Sequence, residues 1–275
     1  MTESAPAGTA AAGGSGKATN KRDLVLALDA GSPVISVAVG VGGETLAARA
    51  VALERSSTQL LALVAEVLAA VAARPADLAG VVALAGPGSF TGLRVGLATA
   101  LGLVQGLGVP AQALPALTVM AAASGAPPGT LVVAAVDALR GEWSAQAFRA
   151  GPVPRPLGEM TLVPAGELLT RLVPGEEVGA IREPGTSATS ETALIIAFGV
   201  STLTRGGDAA GGRARFQEAP PLAPAALRLA AALPRASWRA ASLAAPIYSR
   251  PPATTSPKPP GAPPPPAPAP ETAPP

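Results

Sequence analysis

The stretch from Gly80 to Leu107 fixes local architecture more tightly than any other part of the chain. Val81, Val82, Ala83 and Leu84 make a short apolar run, Gly86-Pro87-Gly88 turns it, and Ser89 or Thr91 stands where a helix N-cap belongs. A Leu-rich segment with 3.6-residue spacing follows to Leu107, so the order is strand, tight loop, buried helix. Along that helix Leu93, Leu97, Leu101, Val104 and Gly108 trace one stripe, while Gly92, Gly96 and Ala100 trace another. A small-residue stripe lets a second backbone approach closely, and each interior glycine costs about 1 kcal/mol against alanine unless packing offsets it. Two uses fit: packing on a sheet of the same chain, or contact with a partner.

A glycine-rich turn at a helix N-terminus also offers free N–H groups to an anion. The spacing argues otherwise. Gly86-x-Gly88-x-x-x-Gly92 has one residue too many for the dinucleotide fingerprint, and no Gly-Lys-Ser/Thr follows. The motif reads as a structural turn.

The chain has 275 residues, no Cys and no His, which removes disulfide frameworks, Cys/His zinc sites and every His-based catalytic arrangement. Carboxylates, Lys, Ser/Thr and metals held by oxygen remain. Hydrophobic residues make up 48% but aromatics only 3%, so the core must be built from Val, Leu and Ala. The net charge of +2 is small. Arg205, Arg213, Arg215, Arg228, Arg235 and Arg239 read as a solvated surface, because the aromatic platforms of an RNA site do not accompany them. No charge falls between Arg94 and Asp137, but Gly106, Gly108, Pro110, Pro115, Gly125, Pro127, Pro128 and Gly129 cut that stretch into pieces too short for a membrane span. No signal-peptide pattern opens the chain, so the expected location is cytoplasmic, with no membrane partner.

In chain order, residues 1–22 read as a disordered tail of Ala, Gly, Ser and Thr. Strands are expected at Leu24–Asp29 and Val34–Val41, with Gly42-Gly43 as a hairpin turn into a third at about Thr45–Leu53. A helix runs from Ser56 or Ser57 as N-cap to Ala73, with Leu60, Val64, Val67, Leu68 and Val71 at helical spacing and Leu61 and Leu63 widening the stripe. Strand Gly80–Leu84 then lies beside the first strand by a right-handed crossover. The pattern restarts at Leu131–Asp137, another apolar strand ending in aspartate, which turns through Ala138–Glu142 into Trp143–Arg149. Short helices are expected at Pro164–Val173 and Pro224–Leu233, with Gly175–Gly212 irregular apart from Ala193–Phe198. The chain beyond Arg250 is Pro-rich and reads as disordered.

A duplicated β-β-β-α-β-α unit resembles the actin, Hsp70 and sugar-kinase (ribonuclease H-like) fold, an α/β class with mixed sheets flanked by helices. Its two halves here are expected at 23–117 and, reduced, at 118–250, with tails at 1–22 and 251–275. In that fold two aspartate turns flank a nucleotide phosphate and its metal, which makes Asp29 and Asp137 vestigial candidates for nucleotide binding or for phosphotransferase or ATPase chemistry.

Four segments together resemble the TsaB (YeaZ) family: Leu26-Ala27-Leu28-Asp29, Gly86-Pro87-Gly88-Ser89-Phe90-Thr91-Gly92-Leu93-Arg94, Val136-Asp137-Ala138-Leu139-Arg140-Gly141-Glu142, and Pro246-Ile247-Tyr248-Ser249-Arg250. The resemblance implies a non-catalytic dimerisation subunit, without cofactor or metal of its own, of the complex that makes threonylcarbamoyladenosine on tRNA. It implies TsaD as the catalytic partner, TsaE in the wider complex and indirect contact with tRNA, and leaves open both a homodimer and a monomer as the free form. It also implies that the first two helices meet the partner, giving Leu60, Val64, Val67, Val71, Gly92, Gly96, Leu97, Ala100, Leu101 and Val104 as expected interface residues. Two departures stand out. The family commonly has Asp-Thr-Ser where this chain has Asp29-Ala30-Gly31-Ser32, and often a His where Ser56 and Ser57 stand.

Overall fold

The computed structural model describes residues 23–52, 59–172, 193–201 and 214–250. Within them the chain forms two sheets. In the first, β1 (Leu24–Asp29), β2 (Val34–Val41) and β3 (Glu44–Ala52) make an antiparallel meander, and β4 (Leu78–Leu84) and β5 (Ala111–Leu114) add in parallel on the other side, in the order β3-β2-β1-β4-β5. The second sheet repeats that plan. Central β6 (Leu131–Asp137) pairs antiparallel with β7 (Glu142–Arg149), which is flanked by the short β8 (Arg155–Pro156) and β9 (Thr161–Pro164). On the other side of β6, β10 (Ala193–Ala197) and β11 (Ala214–Glu218) run parallel.

The helices follow the same duplication. α1 (Leu60–Ala70) precedes β4, α2 (Phe90–Leu107) joins β4 to β5, and α3 (Ala116–Ala123) follows β5; in the second half α4 (Leu168–Leu172) precedes β10 and α5 (Ala223–Ala231) follows β11. This is the duplicated actin-like α/β fold.

Three apolar clusters hold it together. β1 is a continuous apolar run because both of its faces are covered. Ala27 points between the sheets with Val82, Val132, Ala134, Phe148 and Leu222, while Leu26 and Leu28 point outward to α1 and α2. The outer face of the second sheet packs Val133, Trp143 and Ile195 over Leu168 of α4. α5 belongs to the second half in chain order, yet it packs on β1 to β4 of the first sheet, and its Ala223 N–H donates to the buried Ser36 hydroxyl at 3.1 Å.

Local structure departs from the sequence reading in identifiable places. α1 begins at Leu60 and ends at Ala70, and Ser56 and Ser57 lie outside the described residues, as do both tails and most of Gly175–Gly212. The Pro110 and Pro115 that looked like breakers bracket β5 and start α3, because proline is compatible with a strand end and with a helix N-cap. The charge-free stretch after Arg94 is therefore helix, strand, helix and strand of one fold. α2 is long and apolar enough to cross a membrane, but its Leu97 and Val104 are buried on the sheet and its Leu93 against Gly31 and Gly86.

Candidate functional site

The four signature segments converge at the carboxyl ends of β1, β4 and β6, the edge where open α/β sheets bind ligands. The Asp29 turn comes first. Asp29 is 1% exposed, and its Oδ1 accepts from the N–H groups of Gly31 at 3.1 Å and Ser32 at 3.2 Å. Its Oδ2 is buried with no hydrogen-bond partner among the described residues. Burial raises the carboxyl to about 6, against the lowering effect of the bonds from Ser32 and Gly31.

The Gly86–Arg94 loop and the first turns of α2 close over that turn. Gly31 O accepts from Ser89 N–H at 2.8 Å, and the Ser89 hydroxyl caps α2 by accepting from Gly92 N–H at 3.3 Å. A Cβ on Gly92 would collide with the Ala30 carbonyl oxygen, and one on Gly31 would strike the Leu93 side chain. The small-residue stripe of α2 thus exists to let the helix lie on the Asp29 turn. Gly86 is at φ +108°, and the Gly86–Pro87 bond is cis.

The Asp137 turn is the open counterpart. Its carboxylate is exposed, and Oδ1 accepts from Leu139 N–H at 2.7 Å. Leu139 and Arg140 sit at φ +64° and +60°, left-handed conformations that cost roughly 1 kcal/mol or more each for side chains with a Cβ.

The last described residues join the two turns. Ile247 N–H donates to Ala85 O at 2.6 Å. The Tyr248 ring lies 5.1 Å from that of Phe90, and its hydroxyl accepts from Arg94 Nε at 3.1 Å, while the Arg94 guanidinium stacks 3.9 Å over Phe90. Ser144 Oγ donates to Ser249 Oγ, and Arg250 donates to Ala138 O and pairs with Glu142. Tyr248 and Arg250 carried the resemblance in the sequence, but nothing there assigned them contacts. The scarcity of aromatics was the usable signal, since Phe90 and Tyr248 form the aromatic pair here.

The Asp29 turn has no backbone donor turned to a phosphate. The N–H groups of Gly31 and Ser32, which would face a phosphate, are spent on Asp29 itself, and Leu93 covers Gly31. Among the described residues no group of three His, Cys, Asp or Glu side chains is placed to hold a metal.

The expected interface residues fall mostly inside the molecule. Leu60, Val64, Val67, Leu97, Ala100 and Val104 are buried in the cluster under α1 and α2, Gly92 and Gly96 are buried against Ala30, and Val71 and Leu101 are half-buried. The eight buried ones hold the helices on the sheet, and Val71 and Leu101 reach the surface in part. What the two helices present outward is different. α1 exposes Leu61, Ala62, Ala65 and Ala69, and α2 exposes Ala98, Gly102, Gln105 and Gly106, with Glu66 and Arg94 the one charged side chain of each. Leu61 is 61% exposed, and a Cβ on Gly102 or Gly106 would meet nothing within 4 Å among the described residues.

Residues 43–156 match the family model of TsaD, tRNA N6-adenosine threonylcarbamoyltransferase. The chain is 32% identical over 119 residues to the tRNA threonylcarbamoyladenosine biosynthesis protein TsaB of Escherichia coli (strain K12), covering 43% of this chain and 52% of that protein. It therefore spans about half the length of that curated relative. Two solved structures from Pseudomonas aeruginosa share the fold: an uncharacterized protein with similarity to peptidase YEAZ (TM-score 0.65, 24% identity, 83% of this chain and 100% of that one) and YeaZ (TM-score 0.64, 23%, 82% and 99%).

Proposed function

We propose that this chain belongs to the TsaB (YeaZ) family and acts in tRNA threonylcarbamoyladenosine biosynthesis as a non-catalytic subunit that binds a TsaD partner. TsaE joins in the wider complex, tRNA is met through the assembly, and the setting is the cytoplasm. The observation that carries the reading is the outward face of α1 and α2. A helix that meets water normally turns a charged face to it. These two turn Leu61, small residues and glycines outward, each with a single charge.

Glycine at an exposed helix position destabilises the free chain by about 1 kcal/mol, and Gly102 and Gly106 have no neighbour among the described residues that needs the space. Close approach by a second helix supplies the reason, and a homologous chain with the same helix pair supplies the shape. The sealed Asp29 turn supports the non-catalytic part of the proposal, because the carboxylate that a phosphotransferase would use is shut beneath α2.

Light scattering on a sizing column, with the chain alone and then mixed with TsaD from the same organism, tests this. Leu61→Glu and Gly102→Leu should each weaken the mixed complex at least tenfold while leaving the melting temperature of the free chain within a few degrees. Complex formation unaffected by either change would rule the face out, and absence of any complex would rule out the scaffold role.

A further inference from the structure

The segment after the final 3₁₀ turn, Ala240–Ala244, belongs to neither half. That turn is seated in the first half, with Leu243 buried beneath α2 and the Ser242 hydroxyl accepting from Ala113 N–H of β5 at 2.9 Å. Within six residues the chain has reached the second half. Ile247 and Tyr248 anchor on Ala85, Phe90 and Arg94 of the first half, and Ser249 and Arg250 anchor on Ser144, Ala138 and Glu142 of the second. The β4–α2 loop is shaped around this passage, since a Cβ on Gly86 would collide with the Ile247 carbonyl oxygen.

The sheets also meet through α3 and α5, which lie between them and bring Ala116, Ala121, Ala223, Ala226 and Ala230 together with Leu117, Met120, Leu227 and Leu229 into one shared apolar layer. Apolar burial is non-directional, whereas the hydrogen bonds and ion pair at the rim are directional and fix one geometry.

We propose that residues Ala245–Arg250 form a clasp that holds the two halves at one relative position across the mouth between the Asp29 and Asp137 turns. The six contacts divide evenly between the halves, and the two made by Arg250, to Ala138 and Glu142, flank the left-handed Leu139–Arg140 turn. Opening the clasp releases a shear of one sheet past the other without unfolding either.

The chain contains no cysteine, so a pair can be introduced for spin labels in the full-length protein. Leu46→Cys on β3 and Val153→Cys beyond β7 are exposed positions on opposite halves. Their distance distribution should be narrow in the parent and at least twice as broad, or split, in Tyr248→Ala/Arg250→Ala. Arg250→Ala alone should broaden it in the same direction and decides the matter should the double variant not fold. A second pair within the first half, Leu46→Cys with Leu61→Cys, should keep its width. An unchanged distribution between the halves, or equal broadening within the first half, would overturn the clasp.

Discussion

Burial costs the Asp29 carboxylate its hydration, and two turn N–H bonds return only part of it. Its proton affinity rises from 3.8 to about 6 in the folded chain. The sign follows. Between those values the native state holds the proton and the unfolded chain does not, so this residue's contribution is fully present below 3.8 and is lost as pH rises through about 6. A shift of that size corresponds to about 3 kcal/mol. Urea titrations of the parent and Asp29→Asn at pH 5 and 7.5 check it. Because pH 5 already lies partway through the window, the parent should lose about 1.4 kcal/mol more than the variant across that interval. Parallel losses would mean that Asp29 is solvated. The aspartate was legible in the sequence as the end of a strand. Its isolation was not, because the residues packed on the turn that follows it, Gly92 against Ala30 and Leu93 against Gly31, lie far along the chain on α2.

The helices show how far periodicity reaches. Spacing along α2 correctly announced a small-residue stripe, but period alone does not say which neighbour the stripe serves. Gly92 and Gly96 lie against Ala30, whereas Gly102 and Gly106 have no neighbour within 4 Å of a Cβ among the described residues. Identical residues on one helix therefore have opposite consequences. Gly92→Ala should destabilise the chain by roughly 2 kcal/mol or more, because its Cβ must displace backbone. Gly102→Ala should stabilise it by about 0.5–1 kcal/mol through helix propensity. Chemical denaturation of the two variants separates the cases, and equal effects would mean that α2 does not lie on the Asp29 turn. The short β5 and α3 went unread because Pro110 and Pro115 look like breakers and four residues carry too little periodicity to outweigh them.

At the scale of the molecule, the two sheets share one apolar layer, with Phe148, Leu222 and Trp238 in the same cluster as Ala27 and Val82. The halves should therefore unfold together. Trp143 lies on the outer face of the second sheet and Trp238 packs near Gly80 of the first, so each reports on a different half. Single-tryptophan variants, Trp143→Phe and Trp238→Phe, should show coincident fluorescence midpoints in urea. Separated midpoints would show that the halves are independent folding units.

The sequence by itself determined the central strands and the duplication, because apolar runs ending in Asp29 and Asp137 and the Gly86–Arg94 turn are local signals that short-range sterics and burial dictate, whereas β5, β8, β9 and β11 were too short to read. It also placed the four segments that meet at one edge, through their resemblance to a family. Only the tertiary structure decided which side of α1 and α2 is core and which is surface, that the Asp29 turn is covered, and that Tyr248 and Arg250 bridge the halves. Those facts depend on contacts between residues far apart in the chain. Their outcome is set by the order of strands in the sheet and the distance between packed backbones, and neither quantity is written in local periodicity.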